Sequence, residues 1–356
     1  MTDGAPQTDL HHRTWVVFIL ITLALLAGGY GYYRDEAGRI RQDKYQDIAA
    51  IGELKAGQIL QWRQERLADA HRSAASPFFR RALAEWLGAP ENPDLRANWR
   101  QRLKIEQEAY GYSDVLLLDP DGRILLAAND APDPTDAATR QGIAAAFAGG
   151  GAAFSDFYRS PGNRVHLDAI APVHDAERRP LAALVLRSDA ASYLYPLIQS
   201  WPTSSRSGET LLVRREGDAV VYLNELHHRA NTALSLRVPL AQDDLPAARA
   251  VLGQQGQFQG LDYRGVEVLA DLRPVPGSPW FLVAKVDADE ILAEARYRAE
   301  TITLSVLLGI LLAGVLTDSV ADLAFGLVIA ACRRLTEAEH YLRAGKWNKW
   351  NYQLFS

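Results

Sequence analysis

Two uncharged, mostly apolar stretches, at residues 14–33 and 301–317, flank a long central region in which polar and apolar residues are mixed. A helix needs about 20 apolar residues to cross a bilayer, and the first stretch has this length. Trp15 lies near its start and Tyr33 at its end, as aromatic residues do at membrane interfaces. The pattern therefore predicts a first transmembrane helix at residues 14–33, with a cleaved signal peptide as the alternative.

The second apolar stretch is less regular, because Asp318 and Asp322 separate it from a further apolar segment that ends at Cys332. Residues four apart share one face of a helix, so one interpretation is a carboxylate pair that faces a partner helix in the membrane. The interpretation that we favour ends the membrane span near Thr317 and continues the helix into the cytoplasm. A signalling helix and a second transmembrane helix are predicted within residues 291–332.

Basic residues near the apolar stretches indicate the orientation of the chain. Those that follow the second stretch are Arg333, Arg334, Arg343, Lys346 and Lys349. Because short basic segments stay on the cytoplasmic side, we predict a cytoplasmic N-terminus at residues 1–13 and a short cytoplasmic tail at residues 333–356. Such a tail is too short for a kinase, cyclase or phosphodiesterase domain, so we expect no output enzyme in this chain.

Between the apolar stretches, the first pattern is that of a long helix at about residues 42–75. Its apolar positions approximate one helical face, and they are Ile48, Ile51, Leu54, Ile59, Leu60 and Leu67. Pro77 ends the helix, because the residue before a proline avoids helical geometry, and residues 78–87 begin a second helical segment. Residues 34–100 are therefore predicted to form a stalk helix with a helical lead-in.

The remaining sequence has strand patterns that occur twice in the same order, roughly 100 residues apart. The matched segments are 115–127 with 211–223, 147–160 with 251–265, 167–173 with 269–275, and 184–189 with 282–287. An internal duplication explains this order. We predict an α+β fold with two antiparallel-sheet modules, a distal module at residues 101–200 and a proximal module at residues 201–290, each with a pocket between its sheet and a helical connector.

The proximal module is predicted to continue directly into the second membrane helix. Asp287 and Glu290 are three residues apart, which is the spacing of a capped helix start. No helix breaker follows before Thr301. Displacement of the proximal module should therefore reach the membrane.

The order of these elements resembles the double Cache (double PAS-like) sensor regions of bacterial transmembrane receptors over about residues 35–300. The segments that look most like input domains of sensor histidine kinases are 208–212, 224–226, 239–240, 262–265 and 276–285. The resemblance implies two membrane helices that flank a long stalk helix and two tandem PAS-like modules. It also implies a homodimer in a bacterial inner membrane, with residues 34–300 periplasmic or extracellular.

Four residues of the distal module are candidates for ligand binding, namely Tyr158, Arg159, His166 and Asp168. An arginine can hold a carboxylate through two hydrogen bonds, and an aspartate can accept from an ammonium group, so a small charged organic metabolite is the expected ligand. The alternative is a structural role, because Tyr158-Arg159 recurs in the proximal module as Tyr263-Arg264.

One part of the family pattern is missing. Members that bind amino acids carry an Arg-x-Trp-Tyr cluster in the connector before the third strand. The connector of this chain, residues 133–151, contains neither Trp nor Tyr. The resemblance therefore does not extend to that recognition motif.

Composition excludes several other functions. The formal net charge is −5 and no basic stripe occurs, which argues against a nucleic-acid partner. The adjacent histidines 227 and 228 lack the spacing of a metal site, and no nucleophile motif or cofactor motif is found, so neither enzyme, metal nor cofactor is predicted. We expect a membrane-anchored ligand sensor that acts on a separate output protein, with a membrane-anchored periplasmic binding or scaffold protein as the alternative.

Overall fold

The computed structural model describes residues 7–315 together with Phe325 and Val328. Within this part of the chain, no helix has both the length and the apolar character that a membrane span requires. The predicted carboxylate pair of Asp318 and Asp322 and the predicted tail at 333–356 lie outside the described residues. The chain divides into two compact units, one formed by residues up to 43 and from 291 onward, and the other by Lys44–Glu290.

Three helices come first in the chain. They are α1 (Gln7–Ala75), α2 (Pro77–Gly88) and α3 (Pro93–Tyr110). Ser76 separates the first two, and its hydroxyl accepts a hydrogen bond from the amide of Phe79, as an N-cap does. The predicted break at Pro77 is present because proline is tolerated in the first turn of a helix but not in its interior.

The first sheet belongs to the distal module. Its strands are β1 (Asp114–Leu118), β2 (Ile124–Ala127), β3 (Ala153–Phe154), β4 (Tyr158–Arg159), β5 (Val165–His174) and β6 (Pro180–Asp189). The strands lie in the order β2-β1-β6-β5-β3, and β4 pairs with β5. Helix α4 (Ala137–Gly149) is the connector, and α5 (Leu194–Gln199) follows the last strand.

The second sheet belongs to the proximal module. Its strands are β7 (Glu209–Glu216), β8 (Ala219–Tyr222), β9 (Arg237–Pro239), β10 (Gly256–Leu261), β11 (Glu267–Pro274) and β12 (Trp280–Asp287), in the order β10-β11-β12-β7-β8-β9. Helix α6 (Pro246–Val251) lies in its connector, and α7 (Ala288–Val315) follows its last strand. Neighbouring strands pair as β2-β1-β6-β5 in the first sheet and as β8-β7-β12-β11 in the second, which is the same topology twice. The exact bounds of the two modules stay predictions.

Apolar side chains pack on both faces of each sheet. On one face of the first sheet, Phe79 of α2 and Leu103 of α3 pack with Leu117 and Leu184. On the other face, Ile143 of α4 packs with strand residues. The central strands of this sheet therefore have apolar packing on both faces, which explains why β1 is buried at all five positions.

A further core cluster joins the two modules. It contains Trp62 from α1, Phe157 and Leu167 from the distal module, and Leu212 and Leu282 from the proximal module. Because all five side chains are at least nine-tenths buried, the two sheets share one apolar interior.

The start of α7 differs from the sequence prediction. The Glu290 carboxylate accepts hydrogen bonds from the amides and hydroxyls of the 205–207 loop, rather than closing a capping box with Asp287. The Ser207 hydroxyl instead accepts from the amide of Asp287, at 3.0 Å. Burial opposes the ionisation of Glu290, but the hydrogen bonds from Ser207 and its neighbours lower the pKa of this carboxyl. The loop at 205–207 therefore holds the first turn of α7.

Candidate ligand-binding site

Asp168 is the centre of a buried hydrogen-bond network in the distal module. It lies on β5 directly opposite Arg187 of β6. Its carboxylate accepts from Arg187 Nε at 3.1 Å, from the Tyr158 hydroxyl at 2.9 and 3.0 Å, and from the Thr139 hydroxyl at 2.5 Å. All four side chains are buried. The charge of Asp168 is therefore compensated within the protein, as a buried carboxylate requires.

The surroundings also fix which groups of this network carry protons. Burial raises the pKa of the Tyr158 hydroxyl far above its usual range, and the nearby Asp168 carboxylate raises it further. Burial opposes the charge on Arg187, but the Asp168 carboxylate raises the pKa of this guanidinium. Tyr158 and Arg187 thus both donate to Asp168 at physiological pH.

His166 belongs to a second, neighbouring network. Its ring nitrogen Nε2 lies 3.2 Å from Asp133 Oδ2, and the Arg164 guanidinium lies 3.0 Å from the same oxygen. Burial opposes ionisation of Asp133, but the hydrogen bond with His166 and the charge of Arg164 lower the pKa of that carboxyl. The His166 side chain is fully buried, and its Nδ1 has no hydrogen-bond partner among the described residues.

Arg159 extends away from Asp168. Its Nη1 donates to the carbonyl and side-chain oxygens of Asn163, at 3.2 and 2.7 Å. Its Nη2 donates to the carbonyl oxygen of Ala233 and, at 3.4 Å, to the Ser235 hydroxyl, both in the proximal module. The structure therefore does not join Arg159 and Asp168 in a single charged pair. Arg159 is adjacent on β4 to Tyr158, which points to Asp168, and adjacent residues of a strand point to opposite faces.

A cavity of about 300 Å³ opens between the start of the helical connector and the β4–β5 hairpin. Its lining residues are Pro134, Thr135, Asp136, Tyr158, Arg159, Ser160 and Pro161. The Ser160 hydroxyl is buried, and its interaction with Asp133 helps to lower the pKa of that carboxyl. Two of the four sequence candidates, Tyr158 and Arg159, thus line the cavity, whereas His166 and Asp168 lie in the buried networks behind it.

The proximal module contains a network that corresponds to that of Asp168. Lys285 of β12 takes the place of Arg187, and its Nζ lies 2.9 Å from carboxylate oxygens of Glu209 and Asp262. Tyr263 donates to Glu209 as Tyr158 donates to Asp168, at 3.0 Å. Each tyrosine therefore donates to a buried carboxylate, so the repeat places the same contact in both modules.

The second arginine of the repeat behaves differently. Arg264 pairs with Asp262 at 2.7 Å and with Asp287, so it closes an internal ion-pair network. Arg159, by contrast, reaches the other module. The two tyrosines of the repeated Tyr-Arg pair thus make corresponding contacts, whereas the two arginines make different ones.

Sequence reasoning missed several members of the site. Arg187 carried a usable signal, because the matched strands 184–189 and 282–287 both place a cation in a largely apolar run. Asp133, Thr139 and Ser160 carried none, because loops and helix starts contain such residues everywhere. Only the fold brings them next to the β4–β5 hairpin.

Comparison with protein families identifies the central region. The model of the Cache domain family matches residues 39–295. The chain belongs to the Cache domain family. The Cache region covers both sheets, the part of α1 that packs against them and about the first two turns of α7.

Solved structures support the same fold. The ligand-binding domain of the Pseudomonas aeruginosa amino acid chemoreceptor PctB, in complex with L-Arg, is 19% identical with a TM-score of 0.50, and the match covers 71% of this chain and 98% of that chain. The sensory domain of the Campylobacter jejuni chemoreceptor Tlp3 is 14% identical with a TM-score of 0.51, covering 72% of this chain and 98% of that one. At these identities the likeness concerns the fold.

Short matches to curated enzymes also occur. A glyoxylate/hydroxypyruvate reductase of Arabidopsis thaliana is 55% identical over 40 residues, or 11% of this chain and 13% of the reductase. A glyoxylate reductase of Thermococcus litoralis is 56% identical over 36 residues, which are 10% of this chain and 11% of that enzyme. The chain thus spans only a small part of the curated relatives, and such fragments do not establish an enzyme. The Cache region is a ligand-sensing fold.

Proposed function

We propose that this chain is the extracytoplasmic ligand-sensing part of a membrane-anchored bacterial receptor and that it binds a small charged organic molecule in the cavity of its distal module. The observation that carries the proposal is the cavity itself, which lies between connector and sheet and is lined by charged, hydroxyl and aromatic side chains. Pockets of about 300–1,000 Å³ with a few polar groups are typical of small-molecule sites.

Two groups on the cavity wall suit a charged ligand. Arg159 offers a guanidinium that bonds to neutral oxygen atoms. Asp136 offers a carboxylate that accepts from the amide of Ala138 at 2.9 Å, as the N-cap of α4. Amino acids carry both a carboxylate and an ammonium group, and an amino acid chemoreceptor has a similar fold, so amino acids belong among the compounds to be tested.

The same proposal includes the membrane anchoring, the dimer and the output partner of the sensor. The uncharged stretches at 14–33 and 301–317 would anchor the chain in the inner membrane. Two copies would act as a dimer, and the output would be a kinase or a similar protein that responds to displacement of α7. These parts of the proposal come from the sequence patterns and the family resemblance.

A thermal-shift experiment tests the binding site. A ligand that binds only the folded state stabilises it by about 2.7 kcal/mol at a hundredfold excess over Kd. We expect at least one compound from a panel of amino acids, small organic acids and amines to raise the melting temperature of the full-length chain by several degrees. Thr135→Trp, which fills the cavity, should abolish the rise.

The control places the same substitution on the proximal module. Thr203 is exposed and lies far along the chain from the cavity residues, so Thr203→Trp should leave the ligand response intact. If no compound shifts the melting temperature, or if Thr135→Trp responds like the wild type, the distal cavity is not the binding site.

A further inference from the structure

Among the described residues that line the cavity, only Arg159 has a side chain that bonds to the proximal module. All four acceptors of its guanidinium are neutral oxygens, those of Asn163 in its own hairpin and those of Ala233 and Ser235 in the neighbouring module. Among the described residues, no carboxylate lies within ion-pair distance of Arg159. A half-buried guanidinium at a cavity wall thus has neutral partners only.

The proximal loop that Arg159 holds has an unfavourable backbone conformation. Asn231 and Leu234 have φ angles of 57° and 56°, in the left-handed region. For a residue such as Leu234, this region costs about 1–2 kcal/mol, whereas asparagine adopts it more readily. The loop at 231–235 therefore needs external contacts to keep its shape, and the hydrogen bond from Arg159 to the Ala233 carbonyl is one of them.

The same loop is joined to the proximal sheet. The amide of Leu234 donates to the carbonyl of Tyr222 at 2.7 Å, and the amide of Tyr222 donates to the carbonyl of Leu236 at 3.2 Å. Tyr222 is the last residue of β8, which pairs with β7. A change in the loop would thus reach β8, which lies between β7 and the edge strand β9.

A carboxylate would compete for the guanidinium on favourable terms. A carboxylate adds a charge–charge attraction that the present neutral acceptors lack, and it can accept two hydrogen bonds at once from arginine. The acid on the cavity wall, Asp136, repels a ligand carboxylate and so favours its placement at Arg159.

We propose that the ligand of the distal cavity presents a carboxylate to Arg159, and that this contact displaces the guanidinium from Ala233 and Ser235 and releases the 231–235 loop. Arg159 is then both the group that selects a carboxylate ligand and the link that reports its binding to the proximal sheet. The inference rests on the proposed ligand-sensing function of the same cavity and adds a ligand class and a route of coupling.

The first experiment needs no ligand. Hydrogen–deuterium exchange is measured on the full-length chain for peptides that cover 231–236, in the wild type and in Arg159→Gln. Loss of the guanidinium should speed exchange in the loop about tenfold, because the free energy of local opening falls by about 1.4 kcal/mol. Arg164→Gln is the matched control, since Arg164 lies in the same hairpin but pairs with Asp133 and should leave the loop unchanged.

The second experiment adds a panel of small sodium carboxylates, each compared with the amide of the same acid. At least one carboxylate should protect peptides around 134–136 and speed exchange at 231–236 in the wild type, whereas its amide should do neither. In Arg159→Gln the carboxylate should produce no further change in the loop.

The outcomes separate the two proposals. An unchanged loop in Arg159→Gln overturns the coupling inference, and so does a carboxylate that protects 134–136 without affecting 231–236. Protection by the amides, or by amines alone, overturns the carboxylate assignment but leaves the cavity as the ligand site. If no compound protects 134–136, the proposed function of the cavity fails as well.

Discussion

At the scale of single residues, the buried pair of Asp168 and Arg187 determines what the distal cavity can offer to a ligand. The Asp168 carboxylate already accepts hydrogen bonds from three side chains of the protein, so its first role is to hold three strands and the connector together. Removing one partner of a buried ion pair costs about 3–5 kcal/mol, because the other charge is left uncompensated. The residue that the sequence indicated as a ligand group is thus expected to act on stability.

We therefore expect Asp168→Asn and Arg187→Met each to lower the free energy of unfolding by about 3 kcal/mol. The double variant should lose clearly less stability than the sum of the two single variants. It removes both charges, so no buried charge is left without a partner. Urea unfolding of the four proteins measures this coupling. If Asp168→Asn keeps the stability of the wild type but loses ligand binding, Asp168 contacts the ligand directly.

At the scale of elements, α1 is positioned on the proximal sheet by a close contact at a glycine. A Cβ atom at Gly52 would lie 2.6 Å from a carboxylate oxygen of Asp271, which is buried and held by Arg273 at 2.5 Å. Arg273 also donates to the carbonyl of Ala49 in the same helix, at 3.1 Å. The helix can approach the strand this closely only where it has no side chain.

Gly52→Ala should consequently destabilise the folded chain by about 1–3 kcal/mol, the usual cost of overpacking, although alanine is the better helix former. Gly57 lies in the same helix with open space around it, so Gly57→Ala should raise stability by up to about 1 kcal/mol. Thermal and urea unfolding compare the two variants. Equal stabilisation by both substitutions would show that α1 does not pack on Asp271.

At the scale of the whole molecule, the apolar cluster between the modules makes the Lys44–Glu290 unit one cooperative body. Phe157 from the distal module lies 4.7 Å from the ring of Trp280 in the proximal module. The Trp280 indole donates to Asp156 at 2.9 Å, and Arg214 pairs with the same residue at 2.7 Å. Cooperativity of this kind would couple a conformational change in one module to the other module.

Calorimetry of the wild type should therefore give a single transition for this unit. Phe157→Ala and Phe79→Ala should each cost about 3–5 kcal/mol, as large buried aromatic deletions do. Phe79 packs against the distal sheet and does not belong to the cluster that joins the modules, so only Phe157→Ala should separate the melting of the modules into two transitions. Two transitions in the wild type, or one in Phe157→Ala, would contradict a shared core.

Much of the fold could be predicted from local patterns. The break of α1 at Ser76, the hairpin of β1 and β2 and the duplicated strand order all depend on residues close together in the sequence, such as Pro77 and the 119–122 turn. The Cache family was likewise recognisable from the order of elements. The candidate cavity was only partly predictable, because two of the four candidates line it and two lie behind it.

The sequence by itself thus determined the α+β class, the repeat and the helix break before Pro77, since periodicity and turn chemistry act over a few residues. Only the tertiary structure decided that Arg187 neutralises Asp168, that Arg159 reaches Ala233, and that the 205–207 loop holds Glu290. Each of these contacts joins residues that are distant along the chain. Which side chains meet depends on strand register and on the packing of one module against the other, and neither is written in the local pattern.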